Sequence, residues 1–224
     1  MNAQSPFRTT KLYDVLAATP LLVLYGLGIG TKLVPGTVAD IARLPSFSAW
    51  LDLARDSSNI TYFTVIIVLV LRRQVPVARS AHMLPRIVAL AAATAFVARV
   101  KLLPPVHLPP FLEAGAVLLT IFGTVASIAV LFSLGRSFSI LPEARRLVTD
   151  GPYRIVRHPL YVAEEIGNIG IVLEYLQPWS LLIEVVSVGL QLWRISFEEH
   201  VLSQTFPEYA AYAARTRRLI PGIY

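Results

Sequence analysis

Residues 151–161 carry the side chains in this chain that are best suited to bind a charged ligand. The segment reads Gly-Pro-Tyr-Arg-Ile-Val-Arg-His-Pro-Leu-Tyr and lies at the start of a long apolar stretch. Charged groups at the edge of a membrane span cost free energy, so such a cluster indicates a polar site. With Pro159 as the first residue of a helix, the free N–H groups of the first turn and the helix dipole would favour an anion.

Membrane anchoring is the alternative explanation for several residues of this segment. Tyr153, Arg154, Arg157 and Tyr161 could hold a span end at the lipid headgroups, and His158 could cap a helix. Anchoring does not require histidine, proline and tyrosine in this order, so the combination favours a binding site.

A second polar cluster, Glu198-Glu199, follows about forty residues later, where another apolar run ends. Adjacent acids at a helix C-terminus oppose the helix dipole and repel one another. On a helix that continues to about residue 204, they would face about 100° apart, so one could face the bundle and the other the headgroups. The alternative is that Glu198 and Glu199 simply lie on a solvated helix face. Ion pairs between these acids and Arg154 or Arg157 would be compatible with either a binding site or a solvated face.

The composition indicates a polytopic membrane protein. Of its 224 residues 55% are hydrophobic and 15% charged, the mean hydropathy is +0.61, and soluble domains carry about 25% charged residues. The polar start, residues 1–11, predicts no detachable signal peptide. Because cysteine is absent, disulfides, thiolate metal sites and cysteine nucleophiles are excluded. The four histidines are scattered and no basic stripe is present, so we expect neither a metal site nor nucleic-acid binding.

Apolar runs predict an all-α bundle of about six spans with a C-terminal helical hairpin. The spans are residues 12–33, 61–71 (with a start near 47), 85–103, 110–134, 159–176 and 179–199, and residues 37–59 form an amphipathic interfacial helix. Fifteen Lys and Arg residues would lie on the N-terminal side and five opposite, which places both termini in the cytoplasm. We divide the chain into N-terminal helices, residues 1–110, and a core, residues 111–224.

Three separated motifs resemble the isoprenylcysteine carboxyl methyltransferase and phospholipid methyltransferase superfamily. They are residues 150–153, the Arg-His-Pro-x-Tyr stretch at 157–161 and the Glu-Glu pair at 198–199. The tail from Phe206 to Pro221 is similar to the family's usual ending. Ala163 departs from the pattern, because many members have glycine there, and its methyl group could narrow the cofactor cavity or shift the acceptor.

The resemblance implies methyl transfer from S-adenosylmethionine to a lipidic acceptor that enters from the bilayer, with the cofactor in a cytosolic pocket. By motif position, Tyr153, His158 and Tyr161 would contact the cofactor. Glu198 would bind its polar groups, and Arg157 would lie at the acceptor end. The residue types agree, since a sulfonium cofactor with an amino-acid tail needs carboxylates, aromatic faces and an anion-binding helix start.

The acceptor is either a carboxylate or an amine. A carboxylate is already nucleophilic and needs only a cationic clamp, for which Arg157 and Arg194 are candidates. An amine such as that of phosphatidylethanolamine must first lose a proton, and Glu165 or Glu199 could act as the base. The pair Glu164-Glu165 at the membrane edge favours the amine, although Glu164 could simply be a headgroup anchor.

Two other functions are compatible with the sequence. The first is an NADPH-dependent reductase of the sterol or steroid type, against which Glu198-Glu199 argues. It would use a basic pocket built from Arg136, Arg145, Arg146, Arg154 and Arg157. The second is a non-enzymatic membrane protein on the same fold, against which the intact motif residues argue. The sequence leaves the oligomeric state open.

Overall fold

The computed structural model describes residues 11–80 and 82–224, and within them the chain forms a helix bundle, as predicted. The α-helices are α1 (Lys11–Gly28), α2 (Val34–Ala42), α3 (Phe47–Arg72), α4 (Met83–Leu102), α5 (Pro110–Leu134), α6 (Pro159–Glu174), α7 (Pro178–Thr205) and α8 (Tyr209–Arg215). A π-helical turn, Ile29–Leu33, joins α1 to α2, and the short strands β1 (Ala78–Arg79) and β2 (Glu143–Ala144) pair antiparallel. The polar start used to exclude a signal peptide lies, apart from residue 11, outside the described residues.

Four helical stretches are long and apolar enough to cross a membrane. They are Ala18–Ala42, Phe47–Arg72, Pro110–Ser137 and Pro178–Thr205, which correspond to the predicted first, second, fourth and sixth spans. The predicted third span is α4, with a shorter apolar part, Met83–Thr94. The predicted fifth span is α6, whose 16 residues reach about 24 Å, against a hydrocarbon core of about 30 Å. The bundle is therefore polytopic, and the count of six spans stays a prediction.

The single amphipathic helix predicted over residues 37–59 is wrong. Helix α2 ends at Ala42, and α3 begins at Phe47 and continues to Arg72. Pro45 cannot continue a helix, and the Ser46 side chain caps α3 by accepting a hydrogen bond from the Ala49 N–H at 3.3 Å. The charged residues that suggested an interface instead pair between elements, since Asp52 contacts Arg43 at 3.0 Å.

Contacts between loops show which helix termini lie together at each end of the bundle. At one end, called the site end below, the Gln74 N–H donates to the Arg136 carbonyl at 3.0 Å and joins the end of α3 to the end of α5. At the far end, the Val106 N–H donates to the Glu174 carbonyl at 2.9 Å. Helix α6 therefore runs from the site end to the far end, and α7 runs back to the site end. The residues of both sequence motifs lie at the site end.

Helix α6 packs mainly against α5, whereas α7 packs mainly against α4. The α5–α6 contact is close because glycines face each other: a Cβ placed on Gly123 would lie 2.5 Å from the Gly167 Cα and 2.8 Å from the Ala163 carbonyl oxygen. The predicted α6–α7 hairpin is present at its turn, residues 175–177. Because each helix packs mainly on a different neighbour, space remains between them.

The α5–α6 contact gives a test with a matched control. Gly123→Ala should destabilise the protein by about 1–3 kcal/mol, because backbone atoms of α6 must move. Gly167→Ala should be neutral or slightly stabilising, since its Cβ would meet its nearest neighbour at 3.7 Å and alanine is the better helix former. Thermal unfolding in detergent measures both, and equal stabilities for the two variants would contradict this packing.

Candidate functional site

The segment before α6 is shaped by a glycine and a proline. Gly151 has a φ of +60°, a conformation that glycine adopts without strain. It opens the 3-10 turn Gly151–Arg154, and Pro159 is the first residue of α6, as predicted. His158 directly precedes the helix and is buried. Its side chain makes no capping hydrogen bond, so its ring serves contacts other than capping.

The C-terminal tail lies alongside this segment. The Arg157 N–H donates to the Arg217 carbonyl at 2.7 Å, and the His158 N–H donates to the Arg218 carbonyl at 3.0 Å. The Tyr212 hydroxyl of α8 donates to the Tyr153 carbonyl at 2.8 Å. The backbone of residues 153–158 is thereby held by residues 212–218 of the tail.

Glu198 faces α6. Its Oε1 accepts hydrogen bonds from the Tyr161 hydroxyl at 2.5 Å and from Arg194 Nε at 2.9 Å. The Arg194 guanidinium lies 4.9 Å from the centre of the Tyr161 ring, and the His158 ring stacks on the same tyrosine at 5.5 Å. These four residues form one contiguous group.

Glu199 faces the tail and not the headgroup region. Its carboxylate accepts from Arg157 Nε at 2.7 Å and from Arg218 Nε at 2.9 Å, and it lies 3.3 Å from His158 Nε2. Arg157 also donates to the carbonyls of Ala213 and Thr216. Glu199 therefore joins the motif segment to the tail.

Three tyrosines around this group remain neutral hydrogen-bonding groups. Burial, and to a smaller extent Glu198, raises the pKa of Tyr153. Burial also raises the pKa of Tyr209, which the nearby Glu199 reinforces, and raises the pKa of Tyr212 to about 12. None of these three hydroxyls is therefore a base near neutral pH.

Two cavities meet at this group. The smaller has a volume of about 110 Å³ and the larger about 630 Å³. Four residues line both and form a shared wall: Phe138, Leu160, Tyr161 and Arg194. The smaller cavity lies between the motif segment, α7 and α8, and the larger one extends between the transmembrane helices toward the far end.

The larger cavity contains acidic side chains. Glu164 accepts a hydrogen bond from the Tyr62 hydroxyl at 2.6 Å and interacts with the Gln191 amide. Glu165 is hydrogen-bonded to Glu184, which pairs with the buried Arg99. Glu164 therefore lies in the cavity and is not a headgroup anchor.

The predicted site residues fall into three groups according to which cavity they line. The smaller cavity is lined by Tyr153, Arg157, His158, Tyr161, Arg194 and Glu198. Glu165 lines the larger one. In the described part of the chain, Glu199 and Ala163 line neither cavity. Ala163 is buried, and its carbonyl oxygen faces Gly123 of α5.

Sequence reasoning missed Ser187 and Gln191 of α7, which line the larger cavity together with the predicted Arg194. The spacings of four and three, continued by Glu198, place these residues on one helical face. A polar stripe within an apolar run is a signal that could have identified the two missed residues.

Comparisons with known proteins agree with the predicted resemblance. Residues 112–209 match the family described as phospholipid methyltransferase. The chain is 32% identical over 114 residues to protein-S-isoprenylcysteine O-methyltransferase B of Arabidopsis thaliana, covering 46% of this chain and 56% of that protein. It is 37% identical over 84 residues to the nickel-cobalt-cadmium resistance protein NccN of Alcaligenes xylosoxydans xylosoxydans, covering 36% and 38%. The chain thus spans about half or less of the length of these relatives.

The contacts of Glu199 predict that this residue stabilises the folded tail, an effect that a binding assay would not measure. Glu199→Ala would leave Arg157, His158 and Arg218 without their shared carboxylate, which should cost about 3 kcal/mol. We expect lower thermal stability and faster proteolysis of the tail after residue 205.

The matched control is Glu208→Ala, an exposed acid of the same tail. A Glu199 variant whose tail resists proteolysis as the control does would contradict this role.

Proposed function

We propose that this chain is a member of the isoprenylcysteine carboxyl methyltransferase and phospholipid methyltransferase superfamily, in agreement with the match of residues 112–209 to the phospholipid methyltransferase family, and that it transfers a methyl group from S-adenosylmethionine to a lipidic acceptor. The observation that carries the proposal is that four residues line both cavities, because a methyl donor in one cavity and a membrane acceptor in the other would come together at these residues. Methyl transfer is an in-line displacement, which alignment and the exclusion of water accelerate.

The residues of the smaller cavity fit this cofactor chemically. A carboxylate, a histidine and several tyrosines surround it, and Arg146 and Arg157 also line it. Its volume of about 110 Å³ is below the roughly 300–1,000 Å³ of typical ligand pockets. In this conformation the cavity therefore receives one end of the cofactor and not the whole molecule.

The chain's own residues would align the two reactants. When bound, S-adenosylmethionine supplies an electrophilic methyl group. Tyr161 and Arg194, held by Glu198, present an aromatic face and a fixed charge at the wall between the cavities. Leu160 and Phe138 make the rest of that wall apolar, which excludes water from the point of transfer.

The larger cavity favours an amine acceptor. Both arginines predicted to clamp a carboxylate already form ion pairs within the protein, Arg194 with Glu198 and Arg157 with Glu199. Glu164 and Glu165, in contrast, are in no salt bridge with any described residue, and Glu164 interacts with the Arg194 charge from a longer distance. These carboxylates can receive a cationic amine and take its proton.

Of the two acids, we propose Glu164 as the base. It lies on the same face of α6 as the wall residues, three and four positions after Tyr161 and Leu160. Glu165 instead interacts with another acid, Glu184, which pairs with the buried Arg99. Glu199 lines neither cavity.

The membrane orientation belongs to this proposal too. Both termini of the described chain and the site lie at one end of the bundle, and the charge count of the sequence places that end in the cytoplasm. The acceptor would enter from the bilayer into the larger cavity.

Cofactor binding is tested by calorimetric titration of the detergent-solubilised protein with S-adenosylhomocysteine and, separately, NADPH. We expect binding of S-adenosylhomocysteine alone. Glu198→Ala should weaken that binding at least tenfold, because Tyr161 and Arg194 lose their common acceptor. Binding of NADPH alone would support the reductase, and binding of neither would support a non-enzymatic role.

The acceptor is tested with labelled S-adenosylmethionine and vesicles that contain either phosphatidylethanolamine or an isoprenylated cysteine with a free carboxylate. We expect label in the amine lipid. Glu164→Gln should lower kcat about a hundredfold, the typical contribution of a general base.

Glu113→Gln is the matched control, since this acid lies exposed in the first turn of α5 at the far end. A larger loss in Glu165→Gln than in Glu164→Gln would make Glu165 the base. Label in the carboxylate lipid would overturn the amine acceptor.

A further inference from the structure

The first helical stretch that is long enough to cross a membrane carries a lysine near its middle. Lys32 lies within Ala18–Ala42 and is exposed. A charged side chain at this depth costs free energy, and such residues generally face a cavity or a polar partner. Lys32 lines the larger cavity, as do Leu24 and Gly28, which precede it at intervals of four on one helical face. The lysine therefore lies at the cavity assigned to the acceptor.

Lys32 differs from the other basic residues that line this cavity, because it forms no salt bridge with any described residue. The other three pair with acids: Arg55 with Glu174, Arg99 with Glu184 and Arg194 with Glu198. Glu164, the proposed base, lines the same cavity. The cavity therefore offers a ligand both a carboxylate and an ammonium group.

Contacts with α3 give the depth of Lys32 in the bundle. The Tyr25 ring stacks on the Phe63 ring, with 5.0 Å between their centres. Farther along the chain, a Cβ placed on Gly36 would lie 2.6 Å from Asp56 Oδ2. Lys32 lies between Tyr25 and Gly36 in sequence, so it lies beside the part of α3 between residues 56 and 63.

The same comparison relates Lys32 to the proposed base. Interpolation places Lys32 at about the level of Asn59, which also lines the cavity. Tyr62 is three positions nearer the site end, and its hydroxyl donates to Glu164 at 2.6 Å. Three residues of a helix rise about 5 Å. Along the bundle axis, the lysine therefore lies about one helical turn deeper than the contact that holds Glu164.

This order of charges matches the headgroup of an amine phospholipid. In phosphatidylethanolamine, a two-carbon linker joins the amine to an anionic phosphate and spans a similar distance. A lipid in the leaflet at the site end holds its amine outermost, its phosphate deeper and its chains toward the bilayer centre. Such a lipid would place its amine at Glu164 and its phosphate at Lys32.

We propose that Lys32 binds the phosphate of the acceptor headgroup while Glu164 receives the amine, so that the larger cavity selects a zwitterionic amine phospholipid. This inference rests on the proposed function, because it takes an amine lipid as the methyl acceptor. An ammonium group is a common phosphate ligand in proteins. Lys32 lies outside the 112–209 stretch that matches the family, so the N-terminal half of the chain takes part in substrate selection.

The experiment measures methyl transfer from labelled S-adenosylmethionine to two amine lipids in detergent micelles that contain the full chain. One lipid is phosphatidylethanolamine. The other is a diacylglycerol aminoethyl ether, which keeps the amine and the acyl chains but has no phosphate. The natural protein should show a KM about tenfold or more higher for the ether, because a charged hydrogen bond is lost.

Variants of Lys32 are tested with the same two lipids. Lys32→Gln should raise the KM for phosphatidylethanolamine about tenfold and change kcat little, since the phosphate contact is the same before and during methyl transfer. The KM for the ether should stay nearly unchanged, and Lys32→Arg should retain most of the difference between the lipids. Lys11→Gln is the matched control, an exposed lysine at the start of α1, and should leave both KM values unchanged.

The outcomes separate this inference from the proposed function. Equal KM values for the two lipids in the natural protein would overturn the phosphate site and leave methyl transfer to an amine standing. Transfer to neither lipid would refute the amine acceptor itself. A KM difference that persists in Lys32→Gln would remove Lys32 from the site and make it a lysine that only extends toward the lipid headgroups. Should Lys32→Gln fail to fold, Lys32→Met, which keeps the length and suits a membrane span, decides the same comparison.

Discussion

The arrangement of this site depends on the need to neutralise charges buried at the end of a transmembrane helix. An unpaired charge there would cost several kcal/mol, and α7 carries two adjacent acids. Glu198 meets Tyr161 and Arg194, while Glu199 meets Arg157, His158 and Arg218. Because the two side chains point in different directions, one helix end organises both the cavity and the tail that encloses it.

Because of this geometry, the adjacent residues Glu198 and Glu199 have different structural roles. The residues around Glu198 lie at the wall between the cavities, where chemistry would occur. The residues around Glu199 fasten the motif segment to the tail, which places Tyr209 and Tyr212 at the smaller cavity. A histidine touches both acids, since His158 Nδ1 lies 3.9 Å from Glu198 and Nε2 lies 3.3 Å from Glu199. Its position therefore depends on both sets of contacts.

The space for an acceptor arises from helix packing. Glycines let α6 approach α5 closely, while α7 packs on α4, so the two helices of the hairpin leave a cavity between their polar faces. Polar groups inside a membrane protein generally face its interior and take part in function. Glu164 and Glu165 of α6 line the interior cavity, and the neighbours of Glu164, Tyr62 and Gln191, come from two other helices.

Local features of the sequence were sufficient to identify the helices and most of the site. Pro159 and Gly151 act on their own backbone, and each motif is short enough to be recognised from the order of its residues. The start of α6 and six lining residues of the smaller cavity, Arg194 among them, could therefore be predicted. An amphipathic pattern misled at residues 37–59, because several of its charged residues form ion pairs with other elements. Only the tertiary structure decided which acid faces which cavity, and it brought Glu143 to Arg79 and Glu164 to Tyr62, which is 102 positions away in sequence. Such pairs depend on how whole helices pack, and no local pattern of residue types encodes that packing.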